Sequence, residues 1–194
     1  MKKLFFTFAA IVLACGFANA ESFKLVEGDL SFLKEVRELA AELTWNGTLI
    51  GEMTEQEYVD SKQGEKEDFE EYKRKWYEED RMSAWTMLNT SFTNSLKKRS
   101  CVVIDASSRY KFVFNVDKID LGFAGVGLVS KGTLMWATIS VVDTATGETV
   151  AVIQADECKT ATSYVMAATK AIAFDNLGNK TAKWLVKQKY VCKK

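Results

Sequence analysis

The sequence predicts an α/β fold, a mixed four- to five-stranded sheet with two long helices packed on one face. Three observations carry this reading. Leu134 to Val142 and Glu148 to Ala155 are alternating apolar runs joined by a turn at Asp143-Thr144-Ala145-Thr146-Gly147, the pattern of an antiparallel hairpin. Two long helical stretches, about Glu67 to Lys98 and Ala161 to Lys189, flank the strand-rich middle. The order strand, helix, strands, hairpin, helix lets both helices cover one sheet face.

The first twenty residues stand apart. Lys2-Lys3, the apolar run Leu4 to Leu13 and the triplet Ala18-Asn19-Ala20 have the anatomy of a secretory signal with its cleavage site. The chain is therefore expected to comprise a signal peptide, residues 1–20, and a single α/β domain, residues 21–194. The apolar run is shorter than the roughly 20 residues a membrane-spanning helix needs. A second reading has Cys15, after Val12-Leu13-Ala14, as a lipid-modified N-terminus. Leu13 stands where such a box carries a small residue, which favours cleavage after Ala20.

Within the domain, Glu21 to Lys34 reads as an irregular lead-in with a turn at Gly28-Asp29. Val36 to Trp45 is ambiguous: Leu33, Val36, Leu39 and Leu43 fit helical spacing, whereas Leu39, Ala41, Leu43 and Trp45 alternate, and the fold as a whole favours strand. Thr54-Glu55-Gln56-Glu57 is a capping box that starts a helix, interrupted at Gln63-Gly64. The helix after it carries Phe69, Tyr72, Trp76, Met82, Trp85, Leu88, Phe92 and Leu96 at three- and four-residue intervals, a core face broken by Glu78, Glu79 and Asp80.

Val102 to Ile104 forms a short strand, and Tyr110, Phe112, Phe114 and Val116 alternate in a longer one. The phase changes at Ile119 and Leu121, which predicts a bulge near Asp117-Lys118. Gly122 to Gly132 reads as a glycine-rich loop. In the last helix Ala167, Ala171, Phe174, Gly178, Thr181 and Leu185 form a stripe whose small residues allow close approach to a neighbour.

Composition narrows the chemistry. There is no histidine, which excludes Ser-His-Asp and Cys-His catalysis and histidine-ligated zinc. Without Lys2 and Lys3 the chain has 24 basic and 26 acidic residues, too balanced overall to predict nucleic-acid binding. The glycines at 122, 125, 127 and 132 precede a strand and lack the helix N-terminus of a phosphate cradle. Asp105, Asp117, Asp120, Asp143 and Asp156 fall near strand ends; they read first as turn residues and only second as a carboxylate site. No cofactor or catalytic residue is predicted.

Cys101, Cys158 and Cys192 remain after signal removal. A helix over residues 161–189 would hold Cys158 and Cys192 on the order of 40 Å apart, and a bridge needs Cα atoms within about 7 Å. The favoured bridge is Cys101 with Cys158, three reduced cysteines being the alternative. Asp143-Thr144-Ala145 is similar to a short O-glycosylation sequence of exported bacterial proteins, with Thr144 as acceptor, although an ordinary turn accounts for it.

Leu43-Thr44-Trp45 before Met53-Thr54-Glu55-Gln56-Glu57-Tyr58, then Arg109 to Val116, Ile119 to Phe123, Ala137 to Asp143 and Ala173 to Gly178, together resemble uncharacterised exported bacterial proteins. Their fold is similar to the TolB N-terminal domain and the periplasmic domain of curli-secretion lipoproteins. The resemblance implies a fold and an envelope compartment, and transfers no site residues. The expected function is a non-enzymatic periplasmic or secreted interaction module with a protein partner. A small-ligand or lipid carrier with a pocket between sheet and helices is the alternative, and an enzyme using paired carboxylates ranks third.

Overall fold

The structure, a computed structural model, describes residues 22–124, 130–160 and 166–194, with side chains described outside 123–130 and 161–170. The expected signal, Cys15, Gly125, Gly127 and the side chain of Ala167 lie outside the described residues. In chain order the elements are β1 (Ser22–Gly28), a 3-10 turn (Ser31–Lys34), β2 (Glu38–Thr44), β3 (Leu49–Ile50), β4 (Met53–Thr54) and α1 (Glu55–Asp60). A continuous helix follows as α2 (Phe69–Arg74), a π turn (Lys75–Asp80) and α3 (Arg81–Arg99). Then come β5 (Val103–Ile104), β6 (Tyr110–Asp120), β7 (Phe123–Ala124), β8 (Ser130–Lys131), β9 (Leu134–Asp143), β10 (Glu148–Lys159) and α4 (Met166–Lys187).

The main sheet runs β1-β10-β9-β6-β2-β5, with β3 beside β6 and β4 beside β3. β2 is parallel to β5 and β6, and the remaining pairs of that path are antiparallel. The sheet is mixed, as expected, but has eight strands rather than four or five. Residues 22–28, expected to be irregular, form the edge strand β1 on β10, and the two-residue strands β3 and β4 supply the rest. The ambiguous stretch before Trp45 is strand β2: its central place between β5 and β6 outweighs the local helix preference of Glu-Leu-Ala-Ala-Glu.

β6 and β9 alternate between buried and half-buried residues, which puts Phe112, Phe114, Ile139 and Val141 on the helix-covered face. Phe92 of α3 packs against Phe112 and Phe114 at centroid distances of 5.8 and 5.3 Å; each such burial contributes roughly 2–3 kcal/mol. The predicted bulge is present as a register shift between Val116 and Lys118. Both limbs of the Thr54 capping box are formed. The hairpin β9–β10 forms where its sequence predicts it. Within the glycine-rich stretch, β7 and β8 pair as a short ladder.

α3 and α4 run parallel. Ala84 and Ala171 border one recess, Gly178 lies against Leu88 and Phe92, and Ser95 Oγ donates to Asn179 Oδ1 at 3.0 Å. The two C-termini are therefore neighbours. After α4 the chain reverses at Lys189 (φ 61°), and the Tyr190 amide donates to Leu185 O. Residues 192–194 return along the end of α3, with an antiparallel bridge between Ser100 and Lys193. This reversal corrects the expected disulfide: Cys101 is bonded to Cys192, Cα atoms 5.8 Å apart, and Cys158 is buried in β10 outside that bridge. Among the described residues no helix is long and apolar enough to cross a membrane.

Candidate functional site

The strand-end aspartates do not converge. Asp105 accepts from Ser107, Asp117 from Asn115 and Thr138, Asp120 from Lys131, Asp143 from Arg109, and Asp156 from Ser22. Among the described residues no group of three or more His, Cys, Asp or Glu could hold a metal ion. Thr144 is exposed at the hairpin tip, and its Oγ1 donates to Ser108 O at 3.3 Å. Beside it, Arg109 makes a forked bridge to Asp143, which is buried and has its carboxyl held below the ordinary range by that guanidinium.

A more organised constellation sits where α1, the π turn and β2 meet. The capping box fixes the first turn of α1, so that Glu55 points inward and is about nine-tenths buried. Its Oε1 accepts from Trp76 Nε1 at 2.8 Å, and its Oε2 accepts from Arg81 Nη2 at 2.5 Å. Trp76 and Arg81 are five residues apart, which on an α-helix separates them by about 140° around the axis. The wider π turn brings such positions towards one side, so that one carboxylate reaches both.

The Arg81 guanidinium lies 5.4 Å from the Trp45 ring centroid and 5.1 Å from that of Tyr77, a double cation–π contact. Its Nε is buried with no acceptor among the described residues. Trp76 is backed by Tyr58 at 5.2 Å and Tyr72 at 6.3 Å, and Trp45 by Phe174 at 5.5 Å. Burial raises the phenols of Tyr58, Tyr72 and Tyr77, that of Tyr77 further because Glu55 is nearby, so all three stay neutral at physiological pH. Ion pair, indole and rings lock one another.

Outside this locked base the surface is apolar. An open groove is lined by Leu43, Trp45, Tyr77, Arg81, Met82 and Trp85, and Met82, expected on the core face, is 65% exposed. Six residues before Leu88 in the regular helix α3, Met82 lies about 120° around the axis from it, off the buried row Ala84, Leu88, Phe92, Ser95 and Leu96. Glu78 rims the groove and Glu79 the adjoining hollow on the other side of Met82, 70% and 54% exposed, and both are met by Arg74. Behind the groove, the recess between sheet and helices bounded by Trp45, Trp76, Ile119 and Phe174 measures about 40 Å³. That is room for a water or two, against the roughly 300 Å³ or more of a small-ligand pocket.

Sequence reasoning missed Glu55 and Arg81. The available signal was the acidic interruption at residues 78–80, which marks the turn that brings them together.

No family model matches the chain, and no curated protein matches it. Among solved structures it is similar to the PelC dodecamer from Paraburkholderia phytofirmans, with a TM-score of 0.38 and 11% identity over 81% of this chain and 96% of that one. It is also similar to a minor lipoprotein from Acinetobacter baumannii, with a TM-score of 0.34 and 11% identity over 81% of this chain and 98% of that one. Both likenesses are distant.

Proposed function

We propose that the protein is a non-enzymatic interaction module of the cell envelope, exported by residues 1–20, and that it docks a protein partner on the groove around Arg81 and Met82. The observation that supports this is an exposed Met82 set among Trp45, Tyr77 and Trp85 over a base held rigid by Glu55 and Arg81. Tryptophan, tyrosine and arginine dominate binding hot spots because they bury much area with little entropy to lose. Methionine adapts to the shape it meets.

Charge specifies the partner further. Residues 65–80 contain eight carboxylates against four cations, so the helix beside the groove favours a partner whose apolar anchor is flanked by Lys or Arg. The size of the recess argues against the carrier alternative, and the separation of the aspartates argues against a paired-carboxylate enzyme.

A photo-cross-linking residue at position 82, expressed in the native host, tests the reading. A discrete protein adduct is expected, absent when the probe is placed at Ser140 on the opposite sheet face and lost on Glu78→Lys with Glu79→Lys. An adduct unaffected by the charge reversal, or equal labelling from both positions, would remove the groove as the docking surface.

A further inference from the structure

Because α3 and α4 run parallel and the C-terminal segment folds back, the two helix ends and the last residues form one corner. Residues 97–101 and 179–194 contain nine Lys and Arg and no acidic side chain. The disulfide and the Ser100–Lys193 bridge hold the two segments together, and Lys194 Nζ donates to Lys97 O at 2.7 Å. Lys97, Lys98, Lys183, Lys187, Lys189 and Lys193 are all exposed, and none forms an ion pair among the described residues. Elsewhere most described lysines are matched with carboxylates, among them Lys62 with Glu65, Lys75 with Glu71, Lys111 with Glu42 and Lys118 with Glu52, while Lys24, Lys34 and Lys66 stand apart from one another along the chain without an ion pair among the described residues.

Helix C-termini favour cations, which accounts for Lys97, Lys98 and Lys187. Lys189 and Lys193 lie beyond the last turns, where that field has faded. We infer that this corner binds the surface of an anionic lipid bilayer. The groups are lysines, compact hydrated charges suited to a diffuse multivalent surface, rather than the arginine forks that clamp a single phosphate. Among the described residues the corner lines none of the recesses named above, as a site for an extended surface rather than an enclosed ligand would. Trp184 and Tyr190 lie among these lysines, half-buried, with ring centroids 5.3 Å apart, and such rings settle at headgroup depth. The choice of a bilayer over nucleic acid rests on the exported reading of the chain, and is independent of the Met82 groove.

The test is co-sedimentation of the purified exported protein with phosphatidylcholine vesicles made with and without phosphatidylglycerol. Binding is expected only with phosphatidylglycerol and is expected to vanish near 1 M salt, where the screening length falls to about 3 Å. Each lysine near an anionic surface is worth about fivefold in partitioning, so Lys187→Gln, Lys189→Gln and Lys193→Gln together should weaken it on the order of a hundredfold. Lys66→Gln, Lys73→Gln and Lys75→Gln, the same charge change on α2 and its flanks, should weaken it far less. Circular dichroism checks that both variants are folded, and Met82→Asp, which would break the docking groove, should leave vesicle binding intact. No binding to phosphatidylglycerol vesicles, equal loss in both lysine variants, or retention on soluble alginate without vesicle binding would overturn the inference.

Discussion

Gly178 of α4 lies directly against Leu88 of α3: a Cβ at position 178 would fall 2.4 Å from Leu88 O and 3.0 Å from Phe92 N. The parallel packing of the two helices depends on that missing methyl. Gly178→Ala should gain about 1 kcal/mol of helix propensity and lose more by prising the helices apart, for a net loss of about 1–2 kcal/mol. Thermal unfolding should show a midpoint lowered by roughly 2–8 °C, with a larger drop for Gly178→Val.

Glu55 holds Trp76 and Arg81 at once. Glu55→Ala should cost about 2–4 kcal/mol, because it strands an indole N–H and a partly buried guanidinium. Glu55→Gln keeps an acceptor for Trp76 and should cost less. Urea unfolding gives the stabilities, and the tryptophan emission of the Ala variant should shift to longer wavelength.

The Arg109–Asp143 pair gives the hairpin a pH dependence of known sign. The hydrogen-bonded guanidinium lowers the Asp143 carboxyl below its ordinary value of 3.8. Its contribution is therefore complete above that value and is lost as pH falls through the lower folded-state value. The thermal midpoint of the wild type should fall more steeply in acid than that of Asp143→Asn, and the two should converge at the acid end. A constant gap down to the lowest pH would contradict the pairing.

The Cys101–Cys192 bridge closes a separation of 91 residues. Cys101→Ser with Cys192→Ser should cost about 2–4 kcal/mol and make the bonds after Lys189 and Lys193 sensitive to trypsin. Alkylation of the native oxidised protein should leave Cys158, which is fully buried, unmodified until the protein unfolds.

What could be read from the chain was local. The Thr54 capping box, the β9–β10 hairpin and the bulge after Val116 each rest on a few adjacent residues. The stripe through Phe174, Gly178, Thr181 and Leu185 is buried as its spacing predicts. What was missed depends on partners distant in sequence. Ser22–Gly28 is a strand only because β10 offers it an edge. The disulfide was misassigned because helix length separates Cys158 from Cys192 but says nothing about where α3 ends relative to α4. Met82 was placed inside because the two three-residue steps from 82 to 85 and 85 to 88 were counted as one face, although together they turn about 120° away from it.

The central claim is that this is a docking module rather than a carrier, and native mass spectrometry of the protein gently extracted from its host tests it most directly. The account predicts a complex with a second polypeptide that dissociates in Met82→Asp, and a chain free of any bound small molecule. A single chain carrying one stoichiometric lipid or metabolite, unchanged by Met82→Asp, would contradict it.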